Sequence, residues 1–491
     1  MARYPMMVFL IFGISLLHHS NSQQLFGVQS LGRDLRSHTQ LLQQLGVQIV
    51  RLPFSWRLLE ERGKNIFSPG YLEYLDTSVL AMEQAGIKII FQMAQVPCWA
   101  SSSSDCTKFL YRPKNYNDYA DAMAFLLRRY GNRVYAWEIW NEPNLIGGWL
   151  RPECQANNGM CPRAANMNDE FMEFTDLVGA REYSDMVKIT YQKMKSIDSN
   201  VIILAGSLAS GDVYYLNEMY RSGIKNYFTG LAMHPYTAVY PQGHSLYGKE
   251  YGPDDCFPPT PTSKFWCFRN GVEQIRAAMV AQMDSSKSIW FTEFGFSSFD
   301  GWNGAGLQGQ ADHLERAIDI IRQWKFVYAA CFYELSDRKN VAHREGHFGL
   351  FNSNLQIKPS GLVYIRKIKN FNGIISPTTT VTVAVTTPAT STVYPNGLIS
   401  TQTPHFAWPS VPGANSYLLW VNDYGNPNIG GKINSYYFPT QANCSMNNGG
   451  LCKVTPNVRF SKQGGQWWVT AYFINGQTST IVVNGLLFVI Q

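Results

Sequence analysis

The feature that most constrains this chain is an alternation of short apolar runs with longer amphipathic segments, repeated eight times between residues 25 and 333. The runs are rich in β-branched and aromatic residues and are typical of buried parallel strands. They are Leu25–Gln29, Gln48–Leu52, Lys88–Ala94, Val134–Trp140, Val201–Ala205, Thr229–His234, Ser288–Phe294 and Phe326–Tyr333. The segments between them carry apolar residues at helical spacing, as in Tyr71–Gln84 and Tyr116–Arg129. Eight strand–helix units predict an α/β fold, the (β/α)8 TIM barrel, whose active site lies at the C-terminal ends of the strands.

The pattern changes after residue 375. Residues 376–394 are rich in Thr, Val and Pro, which predicts an extended linker. An edge strand is the alternative, because β-branched residues also favour strands. Beyond the linker, short strand-like runs are separated by Gly, Pro and Asn turns, with no helical stretch between them. We therefore predict a catalytic barrel domain over residues 23–375 and a small all-β sandwich domain over residues 395–491.

The N-terminal region contains an apolar stretch, Met6–Leu17, that is too short to span a bilayer. Small residues at Ser20 and Ser22 suit cleavage near Gln23, so residues 1–22 are predicted to be a signal peptide. An uncleaved anchor is the alternative. No second stretch of the sequence is long and apolar enough to cross a membrane. We expect a secreted protein with no membrane partner.

The cysteines are consistent with an oxidising compartment. Eight of the nine fall into close pairs in stretches rich in Ser, Pro, Asn, Gly or Asp, which predicts local disulfides that hold loops, although the sequence leaves the connectivity open. The pairs are Cys98 with Cys106, Cys154 with Cys161, Cys256 with Cys267, and Cys444 with Cys452. The ninth, Cys331, lies in an apolar run and is predicted to be a buried free thiol.

Charge and ligand patterns exclude several classes of function. The formal net charge of +6 is small for 491 residues, and no basic block is present. Arg and Lys are scattered among acidic residues, which argues against nucleic acid as a partner. The cysteine pairs contain no C-x-x-C doublet and have no His cluster beside them, and we expect neither a metal nor another cofactor.

Two glutamates lie at the C-terminal ends of predicted strands four and seven, where the following loops begin. Glu142 lies in the stretch Tyr135–Pro143, and Glu293 lies in the stretch Ser288–Gly295. Hydrolysis of a glycosidic bond by the usual route needs two carboxyl groups that flank one bond. Because the C-terminal strand ends of a barrel meet at one mouth, we predict that these two carboxyl groups lie close together. The alternative is a pair of surface carboxylates on a barrel without activity.

The residues around both glutamates resemble a known group. The resemblance rests on WEIWNEP at residues 137–143 and WFTEFG at residues 290–295, and it is to the clan A glycoside hydrolases. Family 5 (cellulase-like) is the nearest and family 39 is a rival; the likeness covers about residues 25 to 372. It implies that Glu142 is the acid/base, that Glu293 is the nucleophile and that the anomeric configuration is retained. The two carboxyl groups are then expected about 5 to 5.5 Å apart.

The resemblance also implies supporting residues. Asn141 would bind a sugar hydroxyl beside the nucleophile. Arg51 would pair with the nucleophile and keep it ionised. His234 and Tyr236 resemble a strand-six motif whose tyrosine donates to the nucleophile. Strand alternation places Glu138 inside the barrel, and we predict that it forms a structural ion pair with Arg51.

Aromatic residues are the candidates for stacking on a sugar ring. Many members of the clan place a tryptophan at the end of strand eight, where this chain has Tyr333, and we expect Tyr333 to replace it as a platform. Six tryptophans are candidates either for stacking or for core packing. They are Trp56, Trp99, Trp140, Trp149, Trp266 and Trp302. Of these, Trp99 is predicted to bind substrate.

The tail resembles fibronectin type III-like modules of secreted enzymes in Phe406–Pro409 and Tyr417–Val421, with Trp408 a core residue. A spacer role is favoured over carbohydrate binding.

The whole chain is predicted to be a secreted, cofactor-independent, retaining β-glycosidase acting on a polysaccharide, a β-glucan in the manner of a cellulase. The alternatives are an exo-acting β-xylosidase or β-glucosidase, and a non-catalytic carbohydrate-binding protein. We expect a monomer whose partner is a polysaccharide or oligosaccharide substrate.

Overall fold

The computed structural model describes residues 24–30, 35–145, 147–157, 176–256 and 265–371 of the N-terminal part. In the C-terminal part it describes residues 394–395, 397–423, 433–444, 450–460, 465–473, 478–480 and 486–490. The predicted signal peptide and residues 376–393 of the predicted linker lie outside these ranges, and both stay predictions.

Eight parallel strands close into a barrel in the order of the sequence. They are β1 (Leu25–Gln29), β2 (Ile49–Ser55), β3 (Lys88–Ala94), β4 (Ala136–Ile139), β5 (Ile203–Ala209), β6 (Gly230–His234), β7 (Ile289–Phe294) and β8 (Val327–Phe332). The barrel closes where β1 pairs with β8. The side-chain amide of Gln24 fastens this seam, since it donates to the carbonyls of Ile321, Trp324 and Val327 at 2.9, 2.7 and 3.1 Å. The predicted TIM barrel is confirmed.

Helices surround the barrel. The described helices are α1 (Leu35–Leu45), α2 (Trp56–Leu59), α3 (Pro69–Gln84), α4 (Tyr116–Tyr130), α5 (Leu177–Lys195), α6 (Val213–Arg221), α7 (Phe268–Ala281), α8 (Gly306–Gln323) and α9 (Pro359–Phe371). Helix α3 begins at Pro69, two residues before the predicted start at Tyr71, because the Ser68 side chain accepts from the Tyr71 amide and a proline occupies the first helical position. Helix α5 begins at Leu177, where the Asp176 side chain accepts from the Gly179 amide.

The barrel interior has an apolar lower part and a polar upper part. The lower cluster consists of buried residues near the N-terminal ends of the strands, namely Leu25, Ile49, Ile90, Ala136, Leu204, Ala232, Trp290, Ala329 and Cys331. Two residues further along five strands, the inward positions are polar and hold Arg51, Gln92, Glu138, His234 and Thr292. Because successive inward side chains are two residues apart, the change of polarity falls between adjacent layers.

Strand β5 contains an irregularity that matters for the site. Its register against β6 shifts between Ala205 and Leu208, and Gly206 and Ser207 have φ angles of +104° and +45°. A β-bulge of this kind re-aims a side chain. It turns Ser207 into the barrel, where the hydroxyl donates to Glu138 at 2.6 Å.

The described part of the tail is all-β. Its strands are β9 (Gly397–Ile399), β10 (Phe406–Pro409), β11 (Ala414–Asp423), β12 (Ile433–Tyr437), β13 (Leu451–Val454), β14 (Gly465–Phe473), β15 (Thr478–Thr480) and β16 (Leu486–Ile490). They form a two-stranded sheet, β10–β13, and a larger sheet in the order β12-β11-β14-β16-β9, with β15 on β14. Trp408 and Trp467 are fully buried in its core. The all-β tail is confirmed, whereas the fibronectin type III assignment stays a prediction.

Three of the predicted disulfides are present: Cys98 to Cys106, Cys256 to Cys267, and Cys444 to Cys452. The fourth predicted pair includes Cys161, which lies outside the described residues. Cys331 is a buried free thiol, as predicted, and burial raises its pKa. No helix in the described ranges is long and apolar enough to span a bilayer.

Candidate active site

A cavity of about 660 Å³ opens at the C-terminal ends of the barrel strands. One wall is polar and comes from β1, β3 and the residue after β1. A second wall is aromatic and comes from the loops after β6 and β8, and the aromatic residues Phe54, Tyr71, Tyr74 and Phe109 also line the cavity. The polar wall contains Gln29, Ser30 and Gln92, the aromatic wall contains Tyr236, Trp266, Tyr333 and Phe348, and Arg51, Asn141, Glu142 and Glu293 also line the cavity.

Glu293 reaches the cavity from within β7. The residue before it, Thr292, also points inward, although strict alternation would send the two side chains to opposite faces. The register of β7 against β8 shifts between Phe291 and Phe294, and this irregularity lets both neighbours face the interior. The Glu293 side chain is 10% exposed.

Glu142 lies in the loop three residues after β4 ends at Ile139. Trp140 and Glu142 both have left-handed backbone, with φ angles of 68° and 45°. Backbone of this kind persists where the surrounding structure holds it, and it clusters at active sites. Here the Glu142 amide donates to the carbonyl of Ser207 in the β5 bulge at 3.1 Å. The Glu142 side chain is 21% exposed, twice as much as that of Glu293.

The two glutamates are close together. One oxygen of Glu142, one oxygen of Glu293 and one ring nitrogen of His234 all lie within 4.8 Å of one another. Retaining glycosidases hold their two carboxyl groups about 5 to 5.5 Å apart, whereas inverting enzymes need about 6.5 to 9.5 Å to admit a water molecule. The spacing in this chain therefore matches the retaining arrangement.

Arg51 joins the two carboxylates that face the barrel axis. It is 1% exposed and forms ion pairs with Glu293 and, at 2.6 Å, with Glu138. It also donates to the Asn141 carbonyl oxygen at 2.8 Å and to Gln29. Burial alone would lower the pKa of Arg51, but the attraction of Glu138 and Glu293 outweighs it and raises the pKa. A permanent cation thus lies against Glu293.

Tyr236 is the second donor to Glu293. Its hydroxyl donates to Oε2 of Glu293 at 2.8 Å. Burial and the adjacent Glu293 charge raise the pKa of Tyr236 well above its ordinary value, so the hydroxyl keeps its proton and remains a donor. Arg51 and Tyr236 together fix the position of the Glu293 carboxyl group.

Glu138 is a buried charge beneath the cavity. It is 0% exposed and accepts from Arg51, from Ser207 at 2.6 Å and from Thr292 at 2.7 Å. Burial raises its pKa, but Arg51 and the hydrogen bonds outweigh burial and bring the pKa to about 2. The predicted ion pair between Glu138 and Arg51 is present.

His234 connects Glu142 to this buried network. Its Nδ1 lies 2.9 Å from Glu142 and its Nε2 lies 3.1 Å from the Thr292 hydroxyl, which in turn donates to Glu138. Burial lowers the pKa of His234, but Glu293, Glu138 and Glu142 raise it to about 9. The imidazole is therefore protonated at neutral pH and donates through both nitrogens.

The two predicted aromatic platforms lie in different places. Tyr333 follows β8, is 9% exposed and lines the cavity, in edge contact with Tyr236 at 6.1 Å. Trp99 does not line the cavity. It follows β3 in a short turn, packs edge-on against Trp56 at 5.9 Å and donates its indole N–H to the carbonyl of Glu60 at 2.6 Å. The described tryptophan that lines the cavity is Trp266.

Sequence reasoning missed two residues of the polar wall. Gln92 and Ser30 are each 3% exposed, and among the residues that the structure describes the Gln92 amide nitrogen and the Ser30 hydroxyl have no hydrogen-bond partner. Leaving a buried donor unpaired costs about 1 to 3 kcal/mol, so such groups call for a partner that arrives with a ligand. The sequence could have indicated Gln92, because it is a glutamine at an inward position of the otherwise apolar run Lys88–Ala94.

A closed (β/α)8 barrel with two such carboxyl groups at its C-terminal mouth belongs to the class of retaining glycoside hydrolases. The profile of the family described as Cellulase (glycosyl hydrolase family 5) matches residues 16–334, and this chain belongs to that family. It is accordingly a glycoside hydrolase that acts with retention. No curated protein matches the chain.

Solved structures share the fold at low sequence identity. A family 39 glycoside hydrolase from Bacteroides cellulosilyticus is 16% identical, with 91% of this chain and 81% of that chain covered and a TM-score of 0.51. A monomeric β-xylosidase from Caulobacter crescentus is 16% identical, with 89% and 97% covered and a TM-score of 0.50. A GH5_18 protein from Streptomyces cattleya in complex with GlcNAc is 12% identical, with 77% and 84% covered and a TM-score of 0.50. These likenesses show the fold.

Proposed function

We propose that this chain is a secreted β-glycosidase that cleaves a β-linked polysaccharide, a β-glucan in the manner of a cellulase, by double displacement. The observation that carries the proposal is the unequal surroundings of two carboxyl groups within 4.8 Å of one another. Glu293 is held by a cation and a phenol, whereas Glu142 contacts His234 at the more exposed side of the cavity. Paired carboxyl groups in unequal environments can take different roles in one reaction.

In the first step, Glu293 attacks the anomeric carbon and forms a glycosyl-enzyme ester while the glycosidic bond breaks. Arg51 and Tyr236 hold the attacking carboxylate in position. Glu142 gives its proton to the departing oxygen and is left ionised. The protonated His234 donates to that carboxylate at 2.9 Å and stabilises its new charge.

In the second step, the ionised Glu142 takes a proton from water, and the resulting hydroxide equivalent attacks the anomeric carbon. The ester bond to Glu293 breaks, the nucleophile returns as a carboxylate and the sugar leaves with its original configuration. Asn141, held by Arg51 at 2.8 Å, is placed beside both carboxylates to contact a sugar hydroxyl.

The cavity walls support a carbohydrate as the substrate. A sugar ring has hydroxyl edges and an apolar C–H face. The donors Ser30 and Gln92 can satisfy hydroxyls, and Tyr236, Tyr333 and Trp266 provide aromatic surface in the same cavity. Secretion is supported by the N-terminal apolar stretch and by the disulfides, which persist in oxidising compartments.

The test is a panel of aryl β-glycosides and soluble β-glucans with the full chain, followed by proton NMR of the first-formed anomer. We expect turnover of β-glucan with a β-configured product. Faster turnover of aryl β-xyloside or β-glucoside than of any polymer would replace the proposal by the exo-acting alternative. No turnover of any member of the panel would favour the non-catalytic carbohydrate binder.

A further inference from the structure

Two large aromatic side chains lie in contact on the surface of the barrel mouth. Tyr247 and Trp302 are 52% and 58% exposed, and their ring centroids are 5.0 Å apart at an interplanar angle of 76°. Exposed aromatic pairs in soluble proteins commonly mark binding surfaces. We call this pair the rim platform.

The rim platform is joined to the cavity wall by a hairpin. Tyr247 lies at the end of a hairpin that follows Tyr236, with Ala238 bonded to Tyr251 and Tyr240 bonded to Lys249, each at 2.9 Å. At its base, the Ala238 amide donates to the carbonyl of Trp266 at 2.8 Å, and Tyr236 and Trp266 both line the cavity. Four residues at about 3.3 Å each place Tyr247 no more than about 13 Å beyond the base.

Trp302 comes from the loop after β7, the strand that carries Glu293. The Asn303 amide donates to the Gly248 carbonyl at 2.7 Å and holds this loop against the hairpin. A Cβ atom placed on Gly248, whose φ is +79°, would lie 2.4 Å from Cε3 of Trp302. The six-membered ring of the indole therefore packs directly against a glycine, and the Trp302 side chain still remains 58% exposed to solvent.

The rim platform is rigidly tied to the cavity wall. Glu250, in the same hairpin and 1% exposed, accepts from the Ser297 amide at 2.7 Å and from Arg344 at 2.8 Å. Arg344 lines the cavity. A surface fixed before binding loses little conformational entropy when a ligand settles on it.

The size and chemistry of the rim platform favour a sugar over a protein. A Trp and a Tyr bury about 150 to 250 Å² each when fully covered, whereas a stable protein interface takes about 800 Å² from each partner. The platform is bordered by the ion pair of Lys249 and Asp300 at 3.1 Å, whose polar groups suit hydroxyls beside an apolar face.

We propose that the rim platform is a sugar-binding subsite outside the cavity, on which a ring of the polysaccharide substrate stacks against Trp302 with Tyr247 at its border. This inference rests on the proposed function, since the stacked sugar belongs to the chain whose other part occupies the cavity. It predicts that the platform acts on polymer and not on a substrate short enough to fit within the cavity.

The test compares W302A and Y247A with M283A. Met283 is 83% exposed and follows the C-terminal end of α7, on the opposite side of the barrel from the mouth, so M283A is a matched loss of exposed apolar surface. We expect W302A to raise KM for a soluble β-glucan about tenfold, Y247A to raise it less, and M283A to leave it unchanged. Rates on a 4-nitrophenyl β-glycoside and thermal unfolding should not change in any of the three.

Two outcomes would overturn the inference. One is a β-glucan KM for W302A equal to that of M283A. The other is a wild-type protein that is a dimer in solution and becomes a monomer on the substitution W302A. That result would make the rim platform an interface between two copies of the chain.

Binding without turnover separates this inference from the proposed mechanism. Affinity electrophoresis in a β-glucan gel should retard E293Q more strongly than E293Q/W302A. An inactive wild type whose E293Q form still shows this difference would contradict the mechanism and leave the rim platform supported. Equal mobility of the two variants, with an active wild type, would contradict the platform alone.

Discussion

Two adjacent layers of the same barrel interior differ completely in chemistry. The lower layer is apolar and includes Ile49, Ile90, Ala136, Ala232 and Trp290. Two residues later on the same five strands, the upper layer holds Arg51, Gln92, Glu138, His234 and Thr292. The strands are continuous, so backbone pairing is available to both layers, and the side chains alone decide what each layer does. In TIM barrels the C-terminal end carries catalysis and the other end carries stability.

The comparison also shows how the upper layer bears its buried charge. Glu138 is fully buried, yet it accepts from Arg51, Ser207 and Thr292. A buried network is tolerated when its members are paired, and it becomes costly when one partner is lost. The lower layer has no such dependence, because its residues contribute mainly through buried apolar area.

The largest expected effect is a loss of activity at the barrel mouth, compared with a loss of stability in the lower layer. E293Q should lower kcat by at least about 10⁴-fold, on the scale of nucleophile deletions, with the folded state retained. The lower-layer change W290A should cost about 3 to 5 kcal/mol of unfolding free energy through the cavity it leaves, while kcat falls less than tenfold. Initial rates and urea unfolding of both variants measure this contrast. Substantial turnover by E293Q would remove Glu293 from the reaction.

The second prediction concerns a residue of the upper layer whose substitution should lower both activity and stability. R51M removes the cation that pairs with Glu138 at 2.6 Å, and Glu138 is 0% exposed, so we expect a loss of about 3 to 5 kcal/mol of unfolding free energy as well as of activity. The double variant R51M/E138Q should recover much of the stability and none of the activity. Urea unfolding of the full double-mutant cycle measures the coupling. Additive free energies would mean that the two residues do not act as a pair.

The third prediction concerns pH. The folded-state pKa of His234 is about 9, above its ordinary value of 6.5, so its contribution to stability is complete below about pH 6.5 and is lost as pH rises through 9. H234N should flatten the fall in thermal unfolding temperature between pH 6.5 and 9 relative to wild type. Identical pH profiles for the two proteins would show that His234 is not protonated in the folded state.

The smallest expected effect is that of a substitution of Gln92, a residue of the polar wall. Q92M removes an unpaired buried donor, so we expect KM for the preferred sugar substrate to rise about three- to tenfold, while the unfolding temperature stays equal or increases. Steady-state kinetics and calorimetry on one preparation give both quantities. A lower unfolding temperature with unchanged KM would make Gln92 a packing residue.

Much of the architecture follows from the sequence because it depends on local pattern. Each of the eight predicted strands corresponds to a barrel strand, and alternation correctly placed Glu138 against Arg51. The approach of Glu142 and Glu293 follows from barrel geometry, since the C-terminal ends of parallel strands meet at one mouth.

The rest depends on contacts between distant segments. The bulge that brings Ser207 to Glu138 has only a glycine inside a strand as its local sign, and the shift in β7 that turns Glu293 inward has none. Trp99 illustrates the same limit, because its direction is decided by Trp56 and the Glu60 carbonyl, about forty residues earlier in the chain.

The Gln24 amide at the β1–β8 seam bears on where a protease can cut the N-terminal region without disturbing the barrel. Loss of Gln24 would uncover three carbonyls between α8 and β8 and would remove their bonds to the residue that begins the first strand's side of the seam. Cleavage near Gln23, where the sequence predicts the end of a signal peptide, would keep Gln24 and these three hydrogen bonds in the chain.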